Sequence, residues 1–249
     1  MTTGLPTIDA YFTCAEMEPD DAASHYSESL VRLSGIGTRY AMPDVAAHAD
    51  RARFGLPQAV PLLLCPQSAF KIHPDNDALY ARVLAAAPTA HLVLFEARHP
   101  RLTEKLRTRL HAACAPLGVE IDSRLHVVPQ CDHDEYLTLN ASCDVMLDTL
   151  RWSGGNTALD ALASGLPIVT LPGRFMRGRQ SAAMLRLAGA DMLIARDGDD
   201  YIRIAARLAT DPDWRAEATE IIRAGRSRIF DDEAPLRELG EALERLAER

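Results

Sequence analysis

Lysine is nearly absent from this 249-residue sequence: 25 of its 27 basic residues are arginine, and the two lysines are Lys71 and Lys105. A lysine placed in a loop of such a chain therefore draws attention. No C-x-x-C pair joins the cysteines Cys14, Cys65, Cys114, Cys131 and Cys143. An odd count without a pattern reads as reduced thiols in a cytoplasmic protein. The histidines form no H-E-x-x-H and no Cys/His cluster at zinc spacing, which leaves a metal site little support. Long apolar runs are missing too. Stretches such as 61–65 fall far short of the roughly 18 residues a membrane span needs. No basic start followed by an apolar run opens the chain, so no secretory signal is visible. Basic residues number 27 and acidic residues 35, a formal charge of 27 − 35 = −8. That balance argues against a nucleic-acid partner.

What is present is ordinary for a globular protein: 47% apolar and 25% charged residues. Residues 8–13 read as a short strand and 19–33 as a helix, with Glu18, Asp20 and Asp21 near its positive end. The stretch 40–61, with Pro43, Gly55, Pro57 and Pro61, reads as a linker. A strict alternation follows. Strands are predicted at 62–65, 91–96, 125–128, 144–148, 167–171 and 192–194. Helices are predicted between them at 77–87, 102–117, 133–141, 156–163 and 180–187, with stops at Gly118 and Gly165. Three more helical stretches cover 199–209, 212–226 and 234–247. The strands are apolar runs, buried on both faces, and the connections are short. This is the pattern of an α/β, Rossmann-like, doubly wound parallel sheet.

Ligands in such a sheet bind where strands end and helices begin. After Asp148 the chain runs into Ser153-Gly154-Gly155-Asn156-Thr157 and then a helix carrying Asp160. Glycines let backbone approach a bulky anion, and the amides and dipole of a helix start favour negative charge. Thr157 adds a hydroxyl, and Asp160 could accept from a ribose. The same residues also suit a tight turn with Asn156 as an N-cap. A second loop, Pro66-Gln67-Ser68-Ala69-Phe70-Lys71, places Lys71 where a pyrophosphate would lie, although a solvated lysine fits as well. In a third loop His133 and Tyr136 share one helix face, either to meet a base or to pack on the sheet edge. Arg174 and Arg177 read as solvated, and Arg179, just ahead of a helix, stays open. The pair Gly35-Ile36-Gly37 lacks a third glycine and precedes the alternating region, so the dinucleotide fingerprint is absent. Neither a P-loop nor a G-x-S-x-G elbow occurs.

The run from Asp148-Thr149 through Gly154-Gly155-Asn156-Thr157 and Asp160 to Gly165-Leu166-Pro167 resembles the donor-site motif of the SPINDLY-type O-linked N-acetylglucosamine transferases. Cys65-Pro66-Gln67 with Phe70-Lys71-Ile72-His73-Pro74 resembles that family's lysine loop, and Pro172-Gly173 with Arg179-Gln180-Ser181 the loop that follows the donor motif, all in the family's order. The resemblance implies the carboxyl-side, nucleotide-sugar-binding half of a GT-B glycosyltransferase, working on UDP-N-acetylglucosamine without cofactor or metal. It implies Lys71 on the departing diphosphate as the catalytic residue. Gly155, Asn156 and Thr157 would hold the phosphates, with Gly154 also among the donor-binding residues; Asp160 would hold the ribose, and His133 and Tyr136 would lie near the uracil and ribose. Gln67, Ser68 and Arg179 complete the implied donor contacts. The animal enzymes carry Gly-His-Thr-Thr where this chain has Gly154-Gly155-Asn156-Thr157, and plant relatives use GDP-fucose. The base is left open between UDP and GDP. Residues 1–45 are expected to be the last strand and helix of a largely missing amino-side domain, and 46–249 the donor domain with its terminal helices. The implied partners are a nucleotide sugar and a protein acceptor, with neither nucleic acid nor membrane, and self-association through an exposed interdomain face. A binding module without autonomous catalysis, or a sugar-nucleotide epimerase half, are the competing readings.

Overall fold

Two separate parallel sheets form in the computed structural model, which describes residues 2–45 and 48–248. The first pairs β1 (Ala10–Cys14) with β2 (Ser29–Leu33), residue for residue from Ala10 opposite Ser29 to Cys14 opposite Leu33. The helix expected over 19–33 is therefore wrong. That stretch holds a short 3-10 turn, Ala22–His25, and then β2. Pairing with β1 overrides the helical pattern, a tertiary effect that local periodicity does not report. The boundary expected after residue 45 meets residues 46 and 47, which lie outside the described residues.

The linker that follows is irregular, as expected, but it is pinned. Arg51 donates to the carbonyls of Ser142, Gln58 and Val60 and pairs with Asp144 at 2.8 Å. Asp144 also accepts from the Leu62 amide at 2.7 Å, at the entry to the main sheet.

That sheet contains β3 (Leu62–Cys65), β4 (His91–Phe95), β5 (Leu125–Val128), β6 (Val145–Leu147) and β7 (Ile168–Val169). Its spatial order is β5-β4-β3-β6-β7, with every pairing parallel. All four residues of β3 are fully buried, which is why the strand is an unbroken apolar run. The strand expected at 192–194 shrinks to a single bridge, Thr170 to Ile194, because a 3-10 turn at Asp191–Leu193 curls the chain there.

Helices α1 (Asp75–Ala86), α2 (Pro100–Cys114), α3 (His133–Ser142), α4 (Asn156–Ser164) and α5 (Gln180–Ala188) alternate with the strands. Helices α6 (Gly198–Thr210), α7 (Pro212–Gly225) and α8 (Ala234–Ala247) close the chain. Aspartates cap three of them: Asp132, Asp197 and Asp211 accept from the Glu135, Asp200 and Trp214 amides at 2.8–3.0 Å. The stops expected at Gly118 and Gly165 are present, at φ 65° and 77°. Helix α1 packs on α2 and α6, while α4 packs on α3 and α7, giving one helical layer on each face of the sheet. The two-stranded sheet rests on α8 through β2, and the turn after β1 rests on α5.

At the sheet edge His91 Nδ1 and His126 Nε2 lie 2.9 Å apart with stacked rings. Burial lowers both pKa values; the neighbouring His126 and Arg124 lower that of His91 further. The folded state thus favours two neutral rings, whereas the unfolded chain takes up protons near the ordinary value of about 6.5. Their contribution to stability is present above that pH and is lost as pH falls through it toward the lower folded values. Thermal melts at about pH 7 and pH 5 should show a larger drop in Tm for the parent than for His126→Gln.

Candidate active site

In the middle of the sheet, β3 and β6 lie side by side, Leu63 opposite Val145 and Leu64 opposite Met146. From β3 the chain crosses to β4 on one side, and from β6 to β7 on the other. Their carboxyl ends therefore open a crevice at the point where the winding reverses. The lysine loop leaves β3 and the glycine loop leaves β6, so the sheet brings together two loops some eighty residues apart.

Asp148 anchors the glycine loop. One of its oxygens accepts from the Gly154 amide at 2.8 Å. The other accepts from the Ser153 and Thr170 hydroxyls, both at 2.7 Å. Ser153 Oγ in turn accepts from the Ser181 amide at 2.9 Å. Burial raises the pKa of Asp148, and the bonds from Thr170, Ser153 and Gly154 oppose that shift. No motif spacing in the sequence marks Asp148 as the residue that holds this loop. At Gly154 a Cβ would lie 2.9 Å from Thr157 Oγ1 and 3.2 Å from Met146 Cε, so only glycine fits without a shift. Helix α4 begins immediately afterwards. The Ala158 and Leu159 amides turn back to the Gly155 carbonyl. Those of Gly155, Asn156 and Thr157 have no acceptor among the described residues, and so form an anion-ready helix start.

Across the crevice Gln67 Nε2 donates to Thr157 Oγ1 at 3.4 Å. Ser68 and Thr157 share a cavity of about 150 Å³ with Tyr136 and Phe95. Lys71 ends the next 3-10 turn, Ala69–Lys71, and its Nζ stands 5.4 Å from the centre of the Trp152 ring. Trp152 belongs to the glycine loop, so the ammonium sits against that loop and not in open solvent.

His133 and Tyr136 have different neighbours. His133 Nε2 is 3.2 Å from Asp160 Oδ1, on a buried carboxylate. Tyr136 packs its ring on Phe95 and donates its hydroxyl to the Thr157 carbonyl at 3.3 Å. Burial pushes the Tyr136 hydroxyl strongly up, so it stays a donor. Tyr40, from the irregular stretch, also reaches Asp160: burial, then the Asp160 charge and hydrogen bond, raise its pKa. With Gly155, Asn156 and Gln180, Tyr40 lines a second cavity of about 300 Å³ against Phe12 and Met17. Neither Tyr40 nor Gln180 was legible as a site residue, since only tertiary packing brings them to the helix start. Arg179 donates to the Gly173 carbonyl at 3.1 Å and leaves a buried Nε without a partner. Burial, then Arg186, lowers its pKa. Arg174 and Arg177 stack on Phe175. Among the described residues no group of three His, Cys, Asp or Glu side chains is placed to hold a metal. No described helix is long and apolar enough to cross a membrane.

Comparison with known proteins gives a consistent result. The model of the family "Glycosyl transferase family 41" matches residues 12–234. A protein of Solanum lycopersicum named "Probable UDP-N-acetylglucosamine--peptide N-acetylglucosaminyltransferase SPINDLY" is 29% identical over 226 residues, covering 84% of this chain and 22% of that protein. The "UDP-N-acetylglucosamine--peptide N-acetylglucosaminyltransferase" of Caenorhabditis elegans is 27% identical over 192 residues, covering 76% of this chain and 16% of that protein. The chain thus spans about a fifth of the length of the curated relatives it matches. Among solved structures, a mutant of the Thermobaculum terrenum O-GlcNAc transferase superposes with a TM-score of 0.83 at 31% identity, over 98% of this chain and 46% of that one. Sucrose-phosphate synthase from Thermosynechococcus elongatus shares the fold, with a TM-score of 0.67 at 16% identity over 95% of this chain and 58% of that one. The crevice between the glycine and lysine loops lies in a parallel sheet of the GT-B glycosyltransferase type, and the chain belongs to glycosyl transferase family 41.

Proposed function

We propose that the chain binds the diphosphate of UDP-N-acetylglucosamine between the α4 start and Lys71. It would serve there as the donor side of an inverting transfer of N-acetylglucosamine to Ser or Thr hydroxyls of proteins. The observation that carries this reading is the meeting of the two loops at the winding reversal, with unpaired amides on one wall and Lys71 on the other. The names of the relatives support the choice of sugar and acceptor. In the reaction the acceptor oxygen bonds to the anomeric carbon as the bond to the diphosphate oxygen breaks, and the hydroxyl proton is released to solvent. Negative charge grows on the departing UDP, where the helix-end amides and Lys71 oppose it without a metal. Gln67 steadies Thr157, while Ser68 and Tyr136 line the adjoining cavity, where the nucleoside would sit. His133 and Asp160 offer a paired nitrogen and carboxylate toward the base and ribose. Arg179, with its unpartnered Nε, stands near the sugar end. Residues 1–45 would close the amino-side domain, a reading supported by their separate two-stranded sheet. A cytoplasmic location, and self-association across the open face at the strand ends, complete the proposal.

Calorimetric titration with UDP, UDP-N-acetylglucosamine, GDP and GDP-fucose, in the presence of a chelator, tests it. The uridine pair should bind more tightly than the guanosine pair. Preference for GDP-fucose would reassign the donor, and no binding by any of the four would remove the site. Lys71→Ala should weaken UDP binding by about 1–3 kcal/mol, the usual worth of a charge-assisted hydrogen bond. Unchanged affinity would return Lys71 to the role of a loop lysine.

A further inference from the structure

Beyond Lys71 lies a cavity of about 550 Å³ between the lysine loop, α2 and the glycine loop. Both lysines of the chain line it, and no aspartate or glutamate does. Arg109 and Arg151 also line it, but each already has a carboxylate: Asp77 at 2.7 Å and Asp75 at 2.5 Å. Lys71 and Lys105 have no ion pair among the described residues. Exposed apolar side chains line it as well. Phe70 is 76% exposed, Trp152 45% and Leu102 42%. Leu102 and Lys105 stand three apart on α2, on one helix face, and Phe70 and Lys71 oppose them from the loop. Uncompensated cations thus stand on both walls around an exposed aromatic floor, in a chain whose net charge is −8.

We propose that this cavity seats an acidic peptide segment carrying an apolar side chain, adjacent to the acceptor hydroxyl. The inference rests on the donor-binding reading above, because Lys71 is shared between the diphosphate and the cavity. The apolar side chain covers Phe70 and Trp152, and its flanking carboxylates face Lys105 and the remaining field of Lys71. A free anion would satisfy the cations and leave the floor wet; a neutral apolar segment would cover the floor and leave the cations unmet. A peptide with both features meets both walls at once, and so sets an acceptor preference for hydroxyls flanked by acidic and aromatic residues.

Trp152 is a built-in reporter, since the other tryptophan, Trp214 of α7, lies under Arg207 of α6 and can be changed to Phe. In the Trp214→Phe chain saturated with UDP, the peptide Gly-Ser-Asp-Phe-Glu should quench Trp152 fluorescence saturably. Its neutral twin, Gly-Ser-Asn-Phe-Gln, should bind at least about tenfold more weakly. Lys105→Glu should weaken the acidic peptide by about tenfold or more while leaving UDP affinity unchanged. Phe70→Ala, at an exposed position, should weaken it severalfold. Equal affinity for the two peptides, or an acidic peptide indifferent to Lys105→Glu, would overturn the proposal. So would inorganic phosphate competing as well as the peptide, or quenching that follows protein concentration, which would give the cavity to a free anion or to a second copy. Failure of UDP to bind, with the peptide still bound through Lys105, would instead sink the donor reading and leave the peptide site standing.

Discussion

Asp148→Ala is expected to destabilise the fold by about 3–5 kcal/mol, because it strips the acceptor from three buried donors worth about 1–3 kcal/mol each. Ser153 Oγ, the Gly154 amide and Thr170 Oγ1 all lose their partner. The Tyr201 hydroxyl, which donates to the Asp148 carbonyl at 2.9 Å, keeps its own. The loop that presents the α4 start should loosen, so UDP affinity should fall with stability. Asp148→Asn should cost less. Its amide oxygen can still accept, its NH2 can donate to a hydroxyl, and burial already makes the ionised form of Asp148 expensive. Urea unfolding of the three proteins checks the order. Equal stability of the alanine variant and the parent would mean that the network does not hold the loop.

Gly155→Val should abolish most nucleotide binding while sparing the fold. A Cβ at residue 155 would meet only the far end of Gln180, whose Oε1 lies 3.0 Å away. That contact is movable, so the thermal midpoint should change little. The isopropyl group would nevertheless stand over the unpaired amides of Gly155, Asn156 and Thr157 and keep a phosphate from reaching them. Losing two charge-assisted bonds at about 1.5 kcal/mol each predicts roughly a 150-fold weaker UDP complex. Calorimetry together with a melting curve separates this from unfolding. Gly225 provides the contrast. A Cβ there would lie 2.2 Å from the Ala188 carbonyl oxygen, on rigid backbone, so Gly225→Ala should fail by folding and not by binding.

The elements that local chemistry determines were legible in the chain. Four consecutive apolar residues make β3 within its predicted bounds, and β5, apolar except for His126, also keeps its predicted bounds. Glycine at the ends of helical runs marks stops that the structure confirms by positive φ at Gly118 and Gly165. The glycine loop was legible as a turn into a helix, and the helix does start at Asn156. What was not legible depends on long-range packing. Strand β2 exists because β1 lies beside it, and its own residues fit a helix equally well. The Asp148 cluster unites Ser153, Thr170 and Ser181, which no motif spacing links, through the ends of β6 and β7 and the start of α5. Tyr40 reaches Asp160 only because the irregular stretch folds back over α4. The aromatic partner of Lys71 was hidden for the same reason: Trp152 follows β6, and the lysine follows β3.

The central claim is that the unpaired amides at the start of α4 receive a diphosphate. The most direct measurement is a UDP titration of the nitrogen-15-labelled chain, followed by amide NMR in the presence of a chelator. The account predicts that the amides of Gly155, Asn156 and Thr157 shift most, with Lys71 and Trp152 moving alongside them. It also predicts that Gly155→Val removes these changes. Saturable UDP binding that leaves those three amides unmoved would contradict it.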